Sequence, residues 1–546
     1  MSQAPASADP TQDLAASQAW RALGLILLVA LSLRVFLAAT AIMIAPDSAV
    51  FITYARELGR DVLGALRGFD QHPLYPAMIA LAHLAIQPFT PGASGWILAG
   101  RGAAIGASLV AVVAMYGLTA RLYNRRVGLV AAAMLALLPD ACHYGADVLS
   151  DLPHLALYLL ALWALVAGLQ TAAAWRLTLG AALSGLAFLA RPEGGGPFVV
   201  GIVAVALADP RPWKRRLVVL SVMTAAFLAL VGPYQGAVGK LVPKKSLLEL
   251  FQLGEEHSRG RPAAAELNAS STAAPSPLSQ SRPALAAELS APAEAARQWL
   301  RACRVVYALL AVFGLWVARP RRRGVSVVFA AFALQAALLH ALKWSHGYMD
   351  RRHALVLAAL SLPLAAAGLW WLARRIRSRV SRGARRPGTD TEEGAAYGPQ
   401  APSPATRIAA VLVAGCALLT SPWLLRPLGP GEDHVRDASR WLAAHTQADA
   451  VVVGDRRLHR VALCADRAFV EWGWWQGRTR DLAKSLPAGQ TRLFVVDTRH
   501  MSAINPRFLH ELRATFGDRM KLLASFEAPP VTPKTEIRVY RYDGGA

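Results

Sequence analysis

Apolar runs of about 20 residues recur along most of this chain, and they constrain its fold more than any other feature. Eleven of them are candidate membrane spans, near residues 20–44, 96–118, 127–139, 152–169, 177–190, 197–208, 217–233, 304–318, 325–342, 354–373 and 408–425. The chain is 54% hydrophobic and 17% charged, which excludes an ordinary soluble protein of 546 residues. The pattern predicts a mainly α-helical, multi-pass membrane protein with about 11 transmembrane helices.

One further apolar run, Pro73–Phe89, differs from the others. Prolines bracket it, and it is shorter than a helix that crosses a bilayer. We therefore expect it to form a helix that lies at the outer membrane face without crossing.

The positions of the basic residues set the orientation. Clusters lie at 121–126, 211–216, 319–323 and 374–386. All four fall on one side if the N-terminus is cytoplasmic and the Pro73–Phe89 run stays outside. The positive-inside rule thus accounts for the formal net charge of +23 without nucleic acid as a partner. The expected location is the cytoplasmic membrane, with external loops at 45–95, 140–151, 234–302 and 343–353.

The remaining composition suggests the domain organisation. Residues 1–19 read as a disordered cytoplasmic tail, 20–428 as the membrane domain with a basic cytoplasmic loop at 374–406, and 429–546 as a small extracytoplasmic α/β domain. In that domain "AVVVGD", "RLFVVDT" and "TEIRVYRY" predict strands, and "DASRWLAAHTQ" and "FLHELRATFG" predict helices. The four cysteines have no paired spacing, so neither a disulfide framework nor a zinc site is predicted.

Acidic residues and histidines collect in two of the predicted external loops. The first loop holds Asp47, Asp61, Asp70 and His72, and the second holds Asp140, His143, Asp147, Asp151 and His154. Such groups could supply a general base for a hydroxyl acceptor or hold a divalent cation. The alternatives are a solvated carboxylate at Asp47 and a helix N-cap at Asp151.

Two later segments add charge at the same face. "LARPEGGG" places Arg191 and Glu193 there, although Pro192 and the glycines could simply end a helix. "KWSHGYMDRRHALVL" is a dense basic cluster on the outer side, against the charge rule. A phosphate group would suit its guanidinium groups.

The order of these motifs resembles the membrane glycosyltransferases of the C fold class. The similar family is that of the bacterial relatives of dolichyl-phosphate-mannose protein mannosyltransferases and aminoarabinose transferases. The motifs are Asp47, Tyr54 with "ARELGR", "HPLYP" at 72–76, "SDLPHLALYLLALWAL", "GLAFLARPEG" and "GYMDRRHALVL", over about 45–375. Two positions depart from the family pattern. Leu74 replaces a second proline, and Ser48 replaces a second acid, which argues against a metal in the first loop.

The resemblance implies transfer of a sugar from a polyprenyl-phosphate donor to a lipid, glycan or protein at the outer membrane face, with inversion. Asp47 would be the catalytic base, and Asp151 would assist it. Arg351, Arg352 and His353 would hold the departing phosphate. The other implied substrate-binding residues are Tyr54, His72, Tyr75, Asp147, Arg191, Glu193 and Tyr348. The segment from His72 to Pro76 would fix the helix that walls the site. No cofactor or metal ligand is assigned, and a divalent cation stays open.

Two rival functions fit a polytopic chain. A transporter would carry charges at mid-span and an internal repeat, whereas the charges here gather at span ends. A catalytically inactive scaffold with an external binding domain would leave the acidic and arginine-rich mouth unexplained.

Overall fold

A computed structural model of the protein describes residues 14–239, 284–317, 324–346, 349–384, 403–471, 491–504, 510, 516–528 and 535–542. Up to residue 239 its helices are α1 (Ala16–Ala39), α2 (Pro46–Leu58), α3 (Val62–Gly68), α4 (Leu74–Ile86), α5 (Gly92–Leu122), α6 (Arg125–Ala136), α7 (Pro139–Ala146), α8 (Asp151–Thr171), α9 (Ala174–Ala190), α10 (Gly196–Ala208) and α11 (Trp213–Val238).

The second half of the chain adds both helices and strands. Its helices are α12 (Ala284–Ala302), α13 (Val306–Val317), α14 (Val325–His346), α15 (Leu355–Ala384), α16 (Pro404–Leu424), α17 (Asp433–His445), α18 (His459–Cys464) and α19 (Thr498–Ile504). Its strands are β1 (Val451–Gly454), β2 (Ala468–Glu471), β3 (Arg492–Asp497), β4 (Met520–Glu527) and β5 (Glu536–Tyr542).

The apolar runs coincide with helices, which confirms the predicted fold class. Among the described residues, seven helices are long and apolar enough to cross a membrane, or nine if two bent pairs are each one span. The two remaining predicted runs are the shorter apolar helices Ala174–Ala190 and Pro192–Ala208. Helix α4, predicted not to cross, also belongs to the shorter class.

Two of the spans are broken, and both breaks have a local cause. Helices α6 and α7 meet at 59°, where Pro139 starts the second helix and cannot continue the first. Helices α12 and α13 meet at 103°. There Arg304 and Val305 take left-handed backbone conformations with φ of 51° and 58°. The second break directs Arg304 toward the first.

Two helices form the centre of the membrane part. In α8 and in the segment Arg351–Val380, 83% of the apolar window is buried inside the protein. In α1, α11, α14 and α16 that share is only 22–28%, so these helices form the periphery. The central helices begin at Asp151 and just after Arg352, which places both residues at one end of the core.

A buried arginine fixes the outer helix α1 against this core. Arg34 is fully buried and donates to the carbonyl oxygens of Ala30 at 3.0 Å and Ala136 at 3.1 Å, and also to the hydroxyl of Ser108. Ala136 ends α6 at the first break. Arg34 was not predicted from the sequence, because nothing in a single apolar run reveals a partner on another helix.

The C-terminal region forms a five-stranded sheet with the order β2-β1-β3-β5-β4. Strands β2, β1 and β3 are parallel, and β5 and β4 are antiparallel additions. The predicted strands correspond to β1, β3 and β5, and "DASRWLAAHTQ" corresponds to α17. The edge strands β2 and β4 were not predicted. The "FLHELRATFG" helix lies largely outside the described residues.

The sheet docks on the chain segment that follows α1. The guanidinium of Arg460 binds both carboxylate oxygens of Glu432 at 2.7 Å and the carbonyl oxygen of Ile44 at 2.9 Å. Thr53 of α2 lies 3.1 Å from a ring nitrogen of His459. These contacts join the C-terminal sheet to the loop that carries Asp47.

One predicted boundary needs correction. The basic loop expected at 374–406 begins as helix, since α15 continues to Ala384. The arginine-rich stretch from Arg374 contains good helix formers, with no proline and no glycine before Gly383. Residues 385–402 lie outside the described part of the chain.

Candidate active site

Asp47 lies in the first turn of α2, directly after Pro46 starts the helix. Its Oδ2 is 2.5 Å from Nη1 of Arg352, and the two side chains are 38% and 28% exposed. The first predicted acidic loop and the late basic cluster therefore meet, although 305 positions separate the two residues. A carboxylate and a guanidinium share one accessible site.

A short 3₁₀ turn, Arg351–Ala354, presents Arg352. Asp350 caps this turn, since its carboxylate accepts the backbone N–H of Arg351 at 2.6 Å. In return, the backbone N–H of Asp350 donates to Nδ1 of His353 at 3.1 Å. His353, expected to bind phosphate, thus uses one ring nitrogen to fix the turn that aims Arg352.

The second acidic loop contributes Asp151, which is 4% exposed at the start of α8. Its Oδ1 is 2.7 Å from Nη1 of Arg191, which also faces Glu193 at 3.5 Å. The carboxylate therefore pairs with an arginine and does not cap its own helix. The "LARPEG" motif, expected at the same membrane face as this loop, thus contacts the loop directly through Arg191.

The two carboxylate–arginine pairs belong to one constellation. Arg191 lies within electrostatic range of Arg352, and their positive charges repel each other. Asp47 and Asp151 thus flank two guanidinium groups at the same end of the helical core. This arrangement suits a phosphate group, either a singly charged diester or a monoester with up to two charges.

Asp147 has a different environment from Asp47. It is 5% exposed, and its carboxylate accepts the backbone N–H groups of Ala45 at 3.0 Å and Val148 at 2.8 Å. Burial raises the pKa of Asp147, while the charge of Arg101 and these two hydrogen bonds lower it. The hydroxyl of Ser48 lies 3.4 Å from the same carboxylate. Asp147 therefore ties the second loop to the first and shapes the segment before Asp47.

Arg351 pairs with a different carboxylate from Arg352. Its Nε is 3.0 Å from Oδ2 of Asp140, and Asp140 also pairs with Nη2 of Arg304 at 2.7 Å. Asp140 is only 1% exposed. Asp140 was predicted among the loop acids, but Arg304 was not. Only the break before α13 brings Arg304 next to Asp140.

The aromatic residues of the motifs form a packed wall. Tyr54 is fully buried and stacks on Phe69 with ring centroids 4.6 Å apart. The hydroxyl of Tyr75 donates to the carbonyl oxygen of Gly100 at 3.0 Å, which fixes α4 against α5. His72 is buried, with its ring 5.2 Å from that of Phe188. Tyr348 lies outside the described residues.

The described residues around Asp47 and Asp151 do not form a cation site. No three histidine, cysteine, aspartate or glutamate side chains within the described ranges converge as metal ligands. Asp47 and Asp151 each face a guanidinium, which already neutralises the carboxylate. The arrangement of these two carboxylates thus fits guanidinium groups and does not fit a bound divalent cation.

Part of the sequence matches a known protein family. Residues 70–234 match the family described as dolichyl-phosphate-mannose-protein mannosyltransferase. This range includes "HPLYP", the second acidic loop and "LARPEG". No curated protein sequence matches the chain significantly.

Solved structures resemble the whole chain. ArnT from Cupriavidus metallidurans in the apo state aligns with a TM-score of 0.60 and 14% identity, over 96% of this chain and 98% of that one. The same protein bound to undecaprenyl phosphate gives a TM-score of 0.59 at 14% identity, with the same coverage. AglB, an oligosaccharyltransferase from Archaeoglobus fulgidus, was solved with an inhibitory peptide and a dolichol-phosphate. It aligns with a TM-score of 0.55 and 12% identity, over 95% of this chain and 74% of that one. The chain thus has the fold of the C class of membrane glycosyltransferases, as the order of its motifs predicts.

Proposed function

We propose that this protein transfers a sugar from a polyprenyl-phosphate donor to a hydroxyl group of a lipid, glycan or protein at the outer face of the cytoplasmic membrane. The family match and the fold support a glycosyltransferase with a lipid-linked donor. The related structures with undecaprenyl phosphate and dolichol-phosphate support a polyprenyl carrier.

The observation that carries the proposal is the contact between Asp47 and Arg352. In the transfer, the acceptor oxygen forms a bond to the anomeric carbon while the bond from that carbon to the phosphate oxygen breaks. The acceptor proton passes to Asp47, and the bonding electron pair leaves with the phosphate. A base on the acceptor side of the anomeric carbon and a positive charge on its phosphate side are both needed, and this pair supplies one of each at a single site.

The second pair has a supporting role in this proposal. Arg191 adds a second positive charge near the leaving phosphate, and Asp151 and Glu193 hold its guanidinium in place. Because Arg191 is only 12% exposed, its position depends on these carboxylates. Attack opposite to the departing phosphate would invert the anomeric configuration.

The test compares cell envelopes with and without the gene by mass spectrometry of lipids, glycans and proteins. A transferase predicts one sugar mass that disappears on deletion and returns with the wild-type gene. Complementation with Asp47→Asn should restore the protein but lower transfer by about 10²–10⁴-fold, the usual contribution of a general base. Asn keeps the size and hydrogen bonding of Asp but cannot take the proton.

Asp61→Asn is the matched control in the same loop. Asp61 caps α3 by accepting the N–H of Gly64 at 3.0 Å, which asparagine can also do, so transfer should stay at the wild-type rate. Wild-type transfer by the Asp47→Asn protein would exclude Asp47 as the base and leave Asp151. A deletion that changes no lipid, glycan or protein mass would exclude the transferase and favour a transporter.

A further inference from the structure

A cleft of about 510 Å³ lies at a distance from the carboxylates described above. The end of α2, helix α4 and the first turns of α5 form its walls, and Asp466 of the C-terminal region closes one side. Arg56 on its wall is nine residues beyond Asp47 on the same helix, which is about 14 Å along the axis. The cleft is thus separate from the candidate active site.

Two arginines line the cleft against a single carboxylate. The ion pair of Arg56 with Asp466 is long, at 3.7 Å, and the Asp466 side chain is 59% exposed. Within the described part of the chain, the buried Nε of Arg56 has no hydrogen-bond acceptor. Arg60 is 74% exposed, and its partner Glu57 does not line the cleft. The lining residues thus hold two guanidinium groups against one carboxylate, and that of Arg60 is accessible to a ligand.

An aromatic floor lies under these charges. The ring of His83 stacks on that of Trp96 with centroids 3.7 Å apart, and the guanidinium of Arg56 lies 5.6 Å from the Trp96 ring centroid. His83 is 7% exposed, and burial lowers its pKa, so it is neutral at pH 7. Its buried Nδ1 has no partner among the described residues. His83 thus adds a neutral ring to the floor beside the two arginines.

The other side of the cleft is apolar and open. Leu81 and Leu84 line it and are 68% and 62% exposed, and Phe89 beyond them is 85% exposed. The span α5 begins at Gly92, so these side chains lie where the membrane surface starts. Exposed apolar groups at that level are covered by lipid chains. The cleft thus joins a positive aromatic pocket to a lipid-covered face.

We propose that this cleft binds an anionic membrane phospholipid, with its phosphate on Arg56 and Arg60 and one acyl chain along Leu81 and Leu84. A phosphodiester oxygen would replace the weak carboxylate contact of Asp466, and the guanidinium fork of Arg56 provides paired donors. The tryptophan and the apolar rim suit an interfacial ligand more than a free anion. The proposal does not depend on the transferase reaction.

The experiment measures thermal unfolding of the purified full-length protein in neutral detergent during titration with dioctanoyl phosphatidylglycerol. The expected result is saturable stabilisation, with little effect from dioctanoyl phosphatidylcholine or inorganic phosphate at equal concentration. Arg56→Gln and Arg60→Gln should each weaken the apparent affinity about fivefold, the usual effect of one basic residue near a lipid headgroup. Asp466→Asn should strengthen it, because a competing negative charge is gone.

Arg436→Gln removes a surface arginine that pairs with Asp433 and Asp437, and it should leave lipid affinity unchanged. If Arg56→Gln fails to fold, the exposed Arg60→Gln and Asp466→Asn still decide the outcome. Wild-type lipid affinity in both of those variants would overturn the proposal. Equal stabilisation by the phosphatidylcholine probe would also overturn it. Equal stabilisation by inorganic phosphate would show that the cleft binds free anions, and would overturn the assignment to a phospholipid.

Discussion

The pair between Asp47 and Arg352 gives each side chain two tasks. Asp47 must be free to accept a proton in the proposed reaction, yet in the protein alone it neutralises Arg352. The phosphate of a donor would compete with Asp47 for the same guanidinium. Arrival of the donor would thereby release the carboxylate for the acceptor.

We expect Arg352→Gln to lower transfer by about 10²–10³-fold at saturating donor, because the charge that stabilises the departing phosphate is lost. Arg352→Lys should recover part of the rate, since it restores the charge without the planar fork. The measurement is the transfer rate with the lipid-linked donor identified by the envelope comparison. The control is Arg67→Gln, a substitution of the same charge in α3. Equal rates in all four proteins would remove Arg352 from the reaction.

A second residue-scale prediction concerns pH. Asp455 follows β1 and is 7% exposed, and burial raises its pKa to about 6. The negative charge of Asp497 contributes to this increase, whereas the charge of Arg457 and the backbone N–H groups of Arg457 and Leu458 oppose it. Because the folded pKa exceeds the unfolded value of about 3.9, the folded protein binds more protons between those values. Stability from this group is therefore lost as pH rises from 4 to 6.

Asp455→Asn should accordingly unfold at a higher temperature than the wild type at pH 7.5, by up to about 2 kcal/mol in stability, and the difference should vanish near pH 4. Asparagine can still accept the N–H of Arg457 that the carboxylate accepts at 2.7 Å. Unfolding midpoints of the full-length protein at both pH values check this. A pH-independent difference would show that the carboxyl group does not titrate in this range.

At the scale of elements, the packing of α13 on α15 depends on the absence of side chains. A Cβ atom added to Gly314 would lie 1.9 Å from the carbonyl oxygen of Leu364, and one added to Gly368 would lie 2.8 Å from that of Leu310. The two backbones approach as closely as small residues allow in membrane helices. The central helix α15, which follows Arg352, is thus set by this crossing.

Gly314→Ala should therefore force α13 and α15 apart and lower the unfolding midpoint, with a cost of about 1–3 kcal/mol for overpacking. Gly415→Ala in α16 is the matched control, because an added Cβ there meets no atom within 4 Å. That change should be neutral or slightly stabilising, since alanine favours helix over glycine. Equal midpoints for the two variants would contradict the close crossing.

The same scale explains what the sequence could predict. The apolar runs located the helices, because 20 apolar residues in lipid have one stable backbone conformation. The 103° break before α13 was missed, since left-handed Arg304 and Val305 are set by tertiary contacts. The edge strand β4 was missed because an irregularity between Leu522 and Ala524 disturbs its alternation. At this irregularity Leu522 and Leu523 are both exposed, at 54% and 38%.

The candidate site was also predictable only in part: its residues could be identified from the sequence, but their contacts could not. Asp47, Asp151, Arg191 and Arg352 were identifiable because each stands beside an apolar run in a recognisable motif. Their pairing was not identifiable, since it depends on how the starts of α2, α8 and α15 and the end of α9 meet. The pairing of Asp140 with Arg351 and Arg304 was invisible for the same reason.

At the scale of the whole molecule, the orientation in the membrane is the main expectation. The two acidic loops and the C-terminal sheet should share the outer side, and the connection between α8 and α9 should face the cytoplasm. The contact of Arg460 with Ile44 supports a common side for the sheet and the first loop.

Single cysteines in a cysteine-free background test this with a membrane-impermeant reagent on intact cells. Val62→Cys and Ala444→Cys should label, and Thr171→Cys should label only after the membrane is opened; all three positions are exposed in the protein. Labelling of Thr171→Cys in intact cells would contradict the orientation, as would protection of either external position.

The fork of Arg460 also limits how this protein can be recombined with its relatives. It joins Glu432, just after the last span, to the backbone of the loop before α2. Thr53 and His459 add a second connection between the same two parts. A chimera joined at residue 428 would take Ile44 and Thr53 from one protein and His459 and Arg460 from the other. These contacts would be lost, and the segment that holds Asp47 would be misplaced. Exchange of C-terminal regions should therefore succeed only when residues 42–53 are exchanged with them.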